Sequence, residues 1–212
     1  MAAEQTDSQG RAKVWVKPDQ VLDMRAAAQG VQFQGYLRDR HETVVALLYD
    51  TGLRVGELVQ VDREMLDFDE GTLFLPTRIQ KDYPTDRTPP PRTMELGEDE
   101  ATRDTIPRLR SYLNNRWKDS PALFPSRQSD RMTTEAVRQS VAAVAEAADV
   151  RPFLIDGTRG KPSDVTPHTL RHSVAYRMLH IEDGYTLYDV RNRLRHATIQ
   201  TTEKEYDHFD RI

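Results

Sequence analysis

The chain has 212 residues, of which 37% are hydrophobic and 30% charged, enough for one well-buried domain of ordinary composition. It contains no cysteine, which excludes a disulfide framework and a thiolate metal site. No apolar run is long enough to cross a membrane and the polar N-terminus is unlike a signal peptide, so we expect a cytoplasmic protein.

The formal net charge is −4, which argues mildly against a nucleic-acid partner. The charges are segregated, however. Residues 151–177 hold five basic and two acidic side chains, and residues 187–196 hold three basic and one acidic. Residues 95–104, by contrast, hold five acidic side chains and one basic. A basic surface can therefore coexist with an acidic total. Only six of the 30 basic residues are lysine, which suits a salt-loving source and equally a GC-rich genome.

Apolar spacing and turn residues predict a mainly α fold with a small three-stranded antiparallel sheet. Helices are predicted at about residues 18–30, 36–49, 55–59, 99–117, 133–148, 166–179, 187–194 and 201–206. Strands are predicted at residues 66–68, 72–75 and 92–96, with a turn-rich loop at 82–91. We expect residues 1–12 to be a disordered tail, residues 13–212 to form one domain, and residues 151–163 to be a loop.

Two patterns in the first half of the chain could carry chemistry. In the segment TGLRVGEL, Arg54 follows a helix-ending glycine, and Glu57 three residues later can hold its guanidinium. An ordinary surface arginine beside an acid would look the same. Lys81 stands at the mouth of the turn-rich loop and is the only lysine between Lys17 and Lys118. A solvated loop lysine is the simpler interpretation of that position.

Two further patterns lie in the second half. In TPHTLRHS, His168 and Arg171 share a helical face near a capped N-terminus, an arrangement suited to an anion. Plain surface polarity is the alternative, because His168 and His172 lack the third ligand that a zinc site needs. The segment LRHATIQTT contains His196 and is followed by Tyr206, which alone could be a half-buried aromatic residue.

Together, and in this order, the four segments resemble the tyrosine recombinase (phage integrase) family, from about Pro18 to His208. The resemblance implies that family's catalytic-domain fold. The source of the chain is a separate hypothesis: a haloarchaeal host, an archaeal virus or another mobile element. The resemblance also implies an active-site set, which maps onto Arg54, Lys81, His168, Arg171, His196 and Tyr206. Glu57 maps onto an acid that supports the first arginine, and His172 onto a buried structural histidine.

The implied activity is cleavage and rejoining of DNA. Two arginines suit it because planar, always charged guanidinium groups neutralise a phosphodiester in its pentacoordinate transition state. Tyr206 is the implied nucleophile, His168 the acceptor of its proton and Lys81 the donor to the leaving 5′-oxygen, while His196 donates a hydrogen bond to the phosphate. The product is a 3′-phosphotyrosine link, and the hydroxyl of another strand can attack this link and reverse the cleavage without ATP. No metal or other cofactor is expected.

The chain departs from the family pattern in two local ways. Arg195 stands where the family usually has glycine, so it is strained if the backbone has a positive φ, or adds a phosphate contact if it faces DNA. One extra residue precedes Tyr206, which on a helix turns a side chain by about 100°. We therefore expect Tyr206 to be out of place without DNA, and the pocket around Arg54, His168 and Arg171 to be formed already.

The implied partner is a double-stranded DNA recombination site in the nucleoid. Basic residues expected to contact it are Arg159, Lys161, Arg191, Arg193 and Arg195. Arg54 lies too near the start of the chain for an N-terminal DNA-clamping domain, so we expect DNA binding to be weak and salt-sensitive. We also expect a monomer without DNA that assembles as a multimer on DNA. The alternatives are a type IB topoisomerase, a non-catalytic DNA-binding protein that kept the fold, and a plain helical interaction domain.

Overall fold

The computed structural model describes residues 14–82, 88–98, 103–206 and 209. The helices in these ranges are α1 Pro18–Ala28, α2 Gly35–Thr51, α3 Val55–Leu58, α4 Thr105–Asn115, α5 Thr134–Ala147, α6 Pro167–His180, α7 Leu187–Leu194 and α8 Ile199–Tyr206. The strands are β1 Val14–Trp15, β2 Leu66–Asp67, β3 Thr72–Leu75, β4 Arg92–Glu95 and β5 Phe153–Leu154. Strands β2, β3 and β4 form the predicted three-stranded antiparallel sheet, in that order.

Helix α2 is the central element. Every residue from Arg40 to Thr51 is buried, and α2 packs against α1, α4, α5 and α6. It ends at Gly52, which has a left-handed backbone with φ of 62°. A Cβ atom there would collide with the side chain of Leu194 at the end of α7. Glycine at this position therefore both turns the chain toward α3 and lets α7 approach the end of α2.

Helix α6 begins as its sequence predicts. Thr166 is the N-cap, and its side-chain oxygen accepts a hydrogen bond from the Thr169 backbone N–H at 3.2 Å. Pro167 occupies the first helical turn, where its missing N–H costs nothing. Because the cap fixes the start of α6, it also fixes where His168 and Arg171 lie.

A second sheet was not predicted. Strand β1 pairs with β5 in antiparallel fashion, so the region 151–163, expected to be a loop, contains a strand. The pairing brings the Trp15 ring against Phe153, Tyr176 and Phe209, at centroid distances of 5.7, 5.9 and 5.0 Å. Trp15 stacks on Phe153 and Tyr176 and meets Phe209 edge-on, so β1 packs against α6 and against the segment after α8.

Other boundaries shift slightly. The helix expected at 99–117 is described from Thr105 to Asn115, and residues 99–102 lie outside the described residues. The expected tail 1–12 and half of the turn-rich loop, residues 83–87, lie outside them too. Within the described ranges, no helix has the length and apolar character needed to cross a membrane.

Candidate active site

One pocket gathers four of the six residues predicted for the active site. Arg54, Lys81, His168 and Arg171 all line it, and its volume is about 270 Å³. The start of α3, the loop after β3 and the first two turns of α6 supply these side chains. Residues separated by up to 117 positions in sequence thus converge on one small, cation-lined space.

Arg54 is fixed by Glu57. The Oε2 atom of Glu57 accepts a hydrogen bond from the Arg54 backbone N–H at 2.8 Å, and Oε1 accepts one from Arg54 Nη1 at 3.1 Å. The Glu57 side chain is only 1% exposed, whereas that of Arg54 is 31% exposed. The sequence prediction that Glu57 holds Arg54 agrees with these contacts, and the rest of the Arg54 guanidinium remains available to the pocket.

Arg171 is a buried arginine held by backbone carbonyls. Its two terminal nitrogens donate to the carbonyl oxygens of Gly52 and Leu194, so it ties the end of α2 to the end of α7. Burial, followed by the positive charges of Arg54 and Arg195, lowers the pKa of Arg171 well below its ordinary value. An anion in the pocket would stabilise the charged form of this cluster.

The two histidines of α6 are hydrogen bonded to each other. Their Nε2 atoms lie 2.8 Å apart, so one ring donates and the other accepts. His172 is buried and its ring packs edge-on against Tyr206, at 5.3 Å between centroids. This placement fits the predicted structural role of His172, while His168 faces the pocket.

His196 follows α7 and lies near Arg171. Its Nδ1 atom is hydrogen bonded to the Thr202 hydroxyl at 3.0 Å, and its ring stacks on Tyr206 at 6.0 Å. Burial and the nearby charges of Arg171 and Arg54 lower the pKa of His196 to about 2. The ring is therefore neutral at physiological pH, and one of its nitrogens accepts while the other donates.

Tyr206 is the last residue of α8 and is only 3% exposed. Its ring stacks on Phe209 as well as on His196 and packs against His172. An electrostatic interaction with Tyr206 acts on the pKa of Arg171, so the tyrosine lies near that arginine. Tyr206 does not line the pocket itself, however. Its ring is packed beside the predicted catalytic groups rather than exposed among them.

The sequence model of the phage integrase family matches residues 15–211. The chain belongs to this family. The tyrosine recombinase XerA of Pyrococcus furiosus is 31% identical over 170 residues, covering 79% of this chain and 49% of that protein. The tyrosine recombinase XerC of Pseudomonas aeruginosa is 30% identical over 200 residues, covering 92% of this chain and 56% of that protein. The chain thus spans about half the length of these relatives.

Solved structures of phage integrase relatives share the fold. A crystal structure of XerA recombinase superposes with a TM-score of 0.68 at 22% identity, covering 92% of this chain and 60% of that one. A lambda integrase dimer bound to a COC′ core site gives 0.65 at 16% identity, covering 95% of this chain and 50% of that one. The predicted family and the predicted fold, mainly α with a small antiparallel sheet, are both confirmed.

Two of the five predicted DNA contacts need correction, because the protein itself holds their guanidinium groups. Arg193 donates to the Asp50 carboxylate at 2.8 Å and to the Glu95 carbonyl at 2.9 Å. Arg195 has a left-handed backbone with φ of 56°, and its buried side chain donates to Glu57 at 2.6 Å. Both arginines turn inward because buried carboxylates, which need a counter-charge, lie within their reach.

The other three predicted DNA contacts are placed as follows. Arg159 and Lys161 are exposed in the segment that leads to α6, and the Arg159 guanidinium lies 3.3 Å from the centre of the Phe153 ring. Arg191 is partly buried and donates to the Ala197 carbonyl at 3.4 Å. All three stay predictions.

Two site residues were missed by sequence reasoning. Arg138 of α5 lines the pocket, and Thr202 of α8 is bonded to His196. Neither stands in a recognisable motif. Thr202 could have been found from its position, since it lies one helical turn before Tyr206 and so on the same face of α8. In the part of the chain that the structure describes, no three His, Asp or Glu side chains cluster as metal ligands.

Proposed function

We propose that the chain is the catalytic domain of a site-specific recombinase or integrase that cuts and rejoins DNA strands, with Tyr206 as its nucleophile. The observation that carries the proposal is the convergence of Arg54, Lys81, His168 and Arg171 on one pocket. Tyr206 and His196 stack beside that pocket. Membership of the phage integrase family supports the same activity.

In the proposed reaction a DNA phosphate enters the pocket. Arg54 and Arg171 neutralise its non-bridging oxygens, and the neutral His196 donates a hydrogen bond to one of them. The Tyr206 oxygen attacks phosphorus, its proton passes to His168, and the bond to the 5′-oxygen breaks as Lys81 protonates that oxygen. Attack by a 5′-hydroxyl on the phosphotyrosine reverses every step, so the reaction consumes no ATP. The pocket cations supply the positive charge that a metal ion would otherwise provide.

The burial of Tyr206 adds a condition to this mechanism. Its ring is packed among His172, His196 and Phe209, so a shift of α8 has to bring the hydroxyl to a phosphate in the pocket. We propose that DNA, or a neighbouring subunit assembled on DNA, drives this shift. The isolated chain is then a monomer with its nucleophile withheld.

The biological setting is also a proposal. Solved relatives include a Tn1549 transposon integrase with transposon right end DNA and a XerH recombinase with its difH substrate. Such partners suit a protein acting on chromosomal or mobile DNA in the nucleoid, by integration, excision or dimer resolution. A viral origin stays a hypothesis drawn from the family resemblance, and a haloarchaeal origin one drawn from composition. The salt-loving part of it fails if the fold survives dialysis to low salt.

Covalent trapping tests the proposal without knowledge of the DNA site. The probe is a library of nicked duplexes with random sequence on both sides of the nick, so that cleavage releases a short strand and leaves the protein attached. We expect a denaturant-resistant adduct with the native chain, mapped by mass spectrometry to Tyr206, and none with Tyr206→Phe. Tyr188→Phe is the matched control, since Tyr188 is 62% exposed on α7.

Each other outcome favours a specific alternative. DNA binding without any adduct indicates a non-catalytic protein that kept the fold. An adduct accompanied by relaxation of supercoiled plasmid, with no joining of two duplexes, indicates a type IB topoisomerase activity. An adduct that persists in Tyr206→Phe assigns the nucleophile elsewhere.

A further inference from the structure

Arg195 is an unusual buried arginine at the end of α7. Its backbone is left-handed, and its side chain is only 3% exposed. Its Nη2 atom donates to Glu57 Oε2 at 2.6 Å, and its Nη1 atom donates to the Arg193 carbonyl at 3.0 Å. A side chain held at both terminal nitrogens in this way is fixed in position.

Glu57 is shared between two arginines. Its Oε1 atom accepts from Arg54 Nη1, while Oε2 accepts from the Arg54 backbone and from Arg195 Nη2. The carboxylate is buried, so water cannot replace a lost partner. Whatever fixes Glu57 on the Arg195 side therefore also fixes Arg54, which lines the pocket.

We propose that Arg195 is a positioning residue for DNA cleavage, which anchors the Glu57 carboxylate so that Glu57 holds the Arg54 guanidinium at the phosphate. This proposal rests on the proposed function. In place of the DNA contact expected from sequence, Arg195 has a role inside the protein. It contacts Glu57, which contacts Arg54, and Arg54 contacts the phosphate.

The charges around Glu57 show what Arg195 contributes. Burial alone would raise the pKa of Glu57, but Arg195, then Arg54 and Arg171, outweigh it and lower the pKa to about 2. These three arginines reach the carboxylate from the end of α7, the start of α3 and the second turn of α6. Arg195 is the strongest of them, so without it burial drives the pKa of Glu57 upward.

Loss of Arg195 then has a pH-dependent consequence. With its pKa raised, Glu57 is protonated at a higher pH than in the native chain, and its hold on Arg54 weakens as the pH falls. A residue that only fills the core would instead lower activity equally at every pH. The pH profile therefore separates a positioning role from a structural one.

The test measures the rate of covalent adduct formation by the full chain on the nicked duplex library, between pH 5 and pH 9. In Arg195→Met we expect the rate to fall about tenfold per pH unit below the raised Glu57 pKa, and to approach the native rate at high pH. Arg195→Lys keeps the charge and should restore most of the low-pH activity. Arg40→Met is the control for loss of a buried arginine, because Arg40 contacts Pro125 and Trp117, away from the pocket.

A double substitution tests the path through Glu57. If Arg195 acts through that carboxylate, then adding Arg195→Met to Glu57→Gln lowers the rate by less than about twofold, although each change alone is costly. Full additivity, or a pH profile of Arg195→Met parallel to the native one, overturns the proposal.

A second measurement does not depend on cleavage. Carbon-13 NMR follows the Glu57 carboxylate, identified by its loss in Glu57→Gln, and nitrogen-15 NMR follows the Arg54 Nε–H, identified by its loss in Arg54→Lys. In Arg195→Met we expect Glu57 to titrate at higher pH and the Arg54 signal to broaden as the pH falls. If both signals are unchanged in Arg195→Met, the positioning role is overturned, even when the chain forms no adduct. If the signals change as expected but the native chain forms no adduct, the result counts against the proposed function alone.

Discussion

At the scale of single residues, Gly52 shows how one backbone position serves the site. It ends α2 with a positive φ, its carbonyl accepts a hydrogen bond from Arg171, and its missing side chain leaves room for Leu194. An alanine at this position would strain the backbone and displace Leu194, and with it the adjoining Arg195.

We predict that Gly52→Ala lowers the free energy of unfolding by about 2–4 kcal/mol, combining the cost of a left-handed alanine with overpacking. Urea denaturation measures this change. Gly56→Ala is the matched control, because Gly56 lies exposed in α3, has no positive φ, and would place a Cβ in open space with no neighbouring atom within 4 Å. There we expect no loss, and a gain of about 0.5 kcal/mol from helix propensity. Equal effects at the two glycines would contradict the steric argument.

Four charged or titratable residues of the pocket could be predicted from sequence, but Arg138 and the inward orientation of Arg193 and Arg195 could not. Arg54, Lys81, His168 and Arg171 stand in short segments whose order is informative by itself. Whether an arginine faces DNA or the core depends on which carboxylates the fold brings near it. The partner of Arg195 is 138 positions away in sequence, so no local pattern reports that contact.

At the scale of elements, the β1–β5 pair supports α8, the helix that ends with the proposed nucleophile. Trp15 of β1 belongs to a buried cluster that also contains Tyr206 and Phe209. The sequence did not predict these strands, because two residues are too few to show the alternation by which a strand is recognised. The longer strands β3 and β4 and the capped helix α6 were predicted, since they carry alternation, flanking turns or a cap.

We predict that Trp15→Ala lowers the free energy of unfolding by about 3–5 kcal/mol and also slows adduct formation at temperatures where the chain is still folded. The physical reason is that removing the indole ring leaves a cavity among the side chains that pack around Tyr206. Trp117→Ala provides the comparison, because Trp117 packs on Tyr36 and Arg40, outside that cluster. Thermal unfolding and the adduct rate are measured on both. If the two variants lose adduct rate in proportion to stability alone, β1 has no specific part in placing the nucleophile.

At the scale of the whole molecule, charge distribution matters more than the net charge of −4. Many basic side chains are already used inside the protein, as in the ion pairs of Arg193 with Asp50 and Arg195 with Glu57. Of the exposed cations, we expect those at the pocket and in the segment before α6 to contact DNA. A small basic area on an acidic protein attracts DNA only at short range, and added salt weakens that attraction.

This charge distribution predicts weak, steeply salt-dependent DNA binding. The cations that line the pocket are Arg54, Lys81, Arg138 and Arg171, and Arg159 and Lys161 are exposed in the segment before α6. If Arg54 and Arg171 share one phosphate and each of the other four contacts one, the logarithm of the binding constant falls with the logarithm of salt concentration with a slope of about −4.5, a loss of about 500-fold between 50 and 200 mM salt. Fluorescence anisotropy with a random-sequence duplex measures the slope.

The same measurement identifies which cations are involved. Replacing Arg159 and Lys161 together by glutamine should make the slope less negative by about 2, since two counterion-releasing contacts are lost. Replacing Arg63 and Lys118 by glutamine removes the same charge, but these side chains pair with Asp119 and Asp130 and do not line the pocket. We expect that control to leave the slope unchanged. Nanomolar binding at high ionic strength, or equal slopes in the two double variants, would show that DNA lies on a different face of the protein.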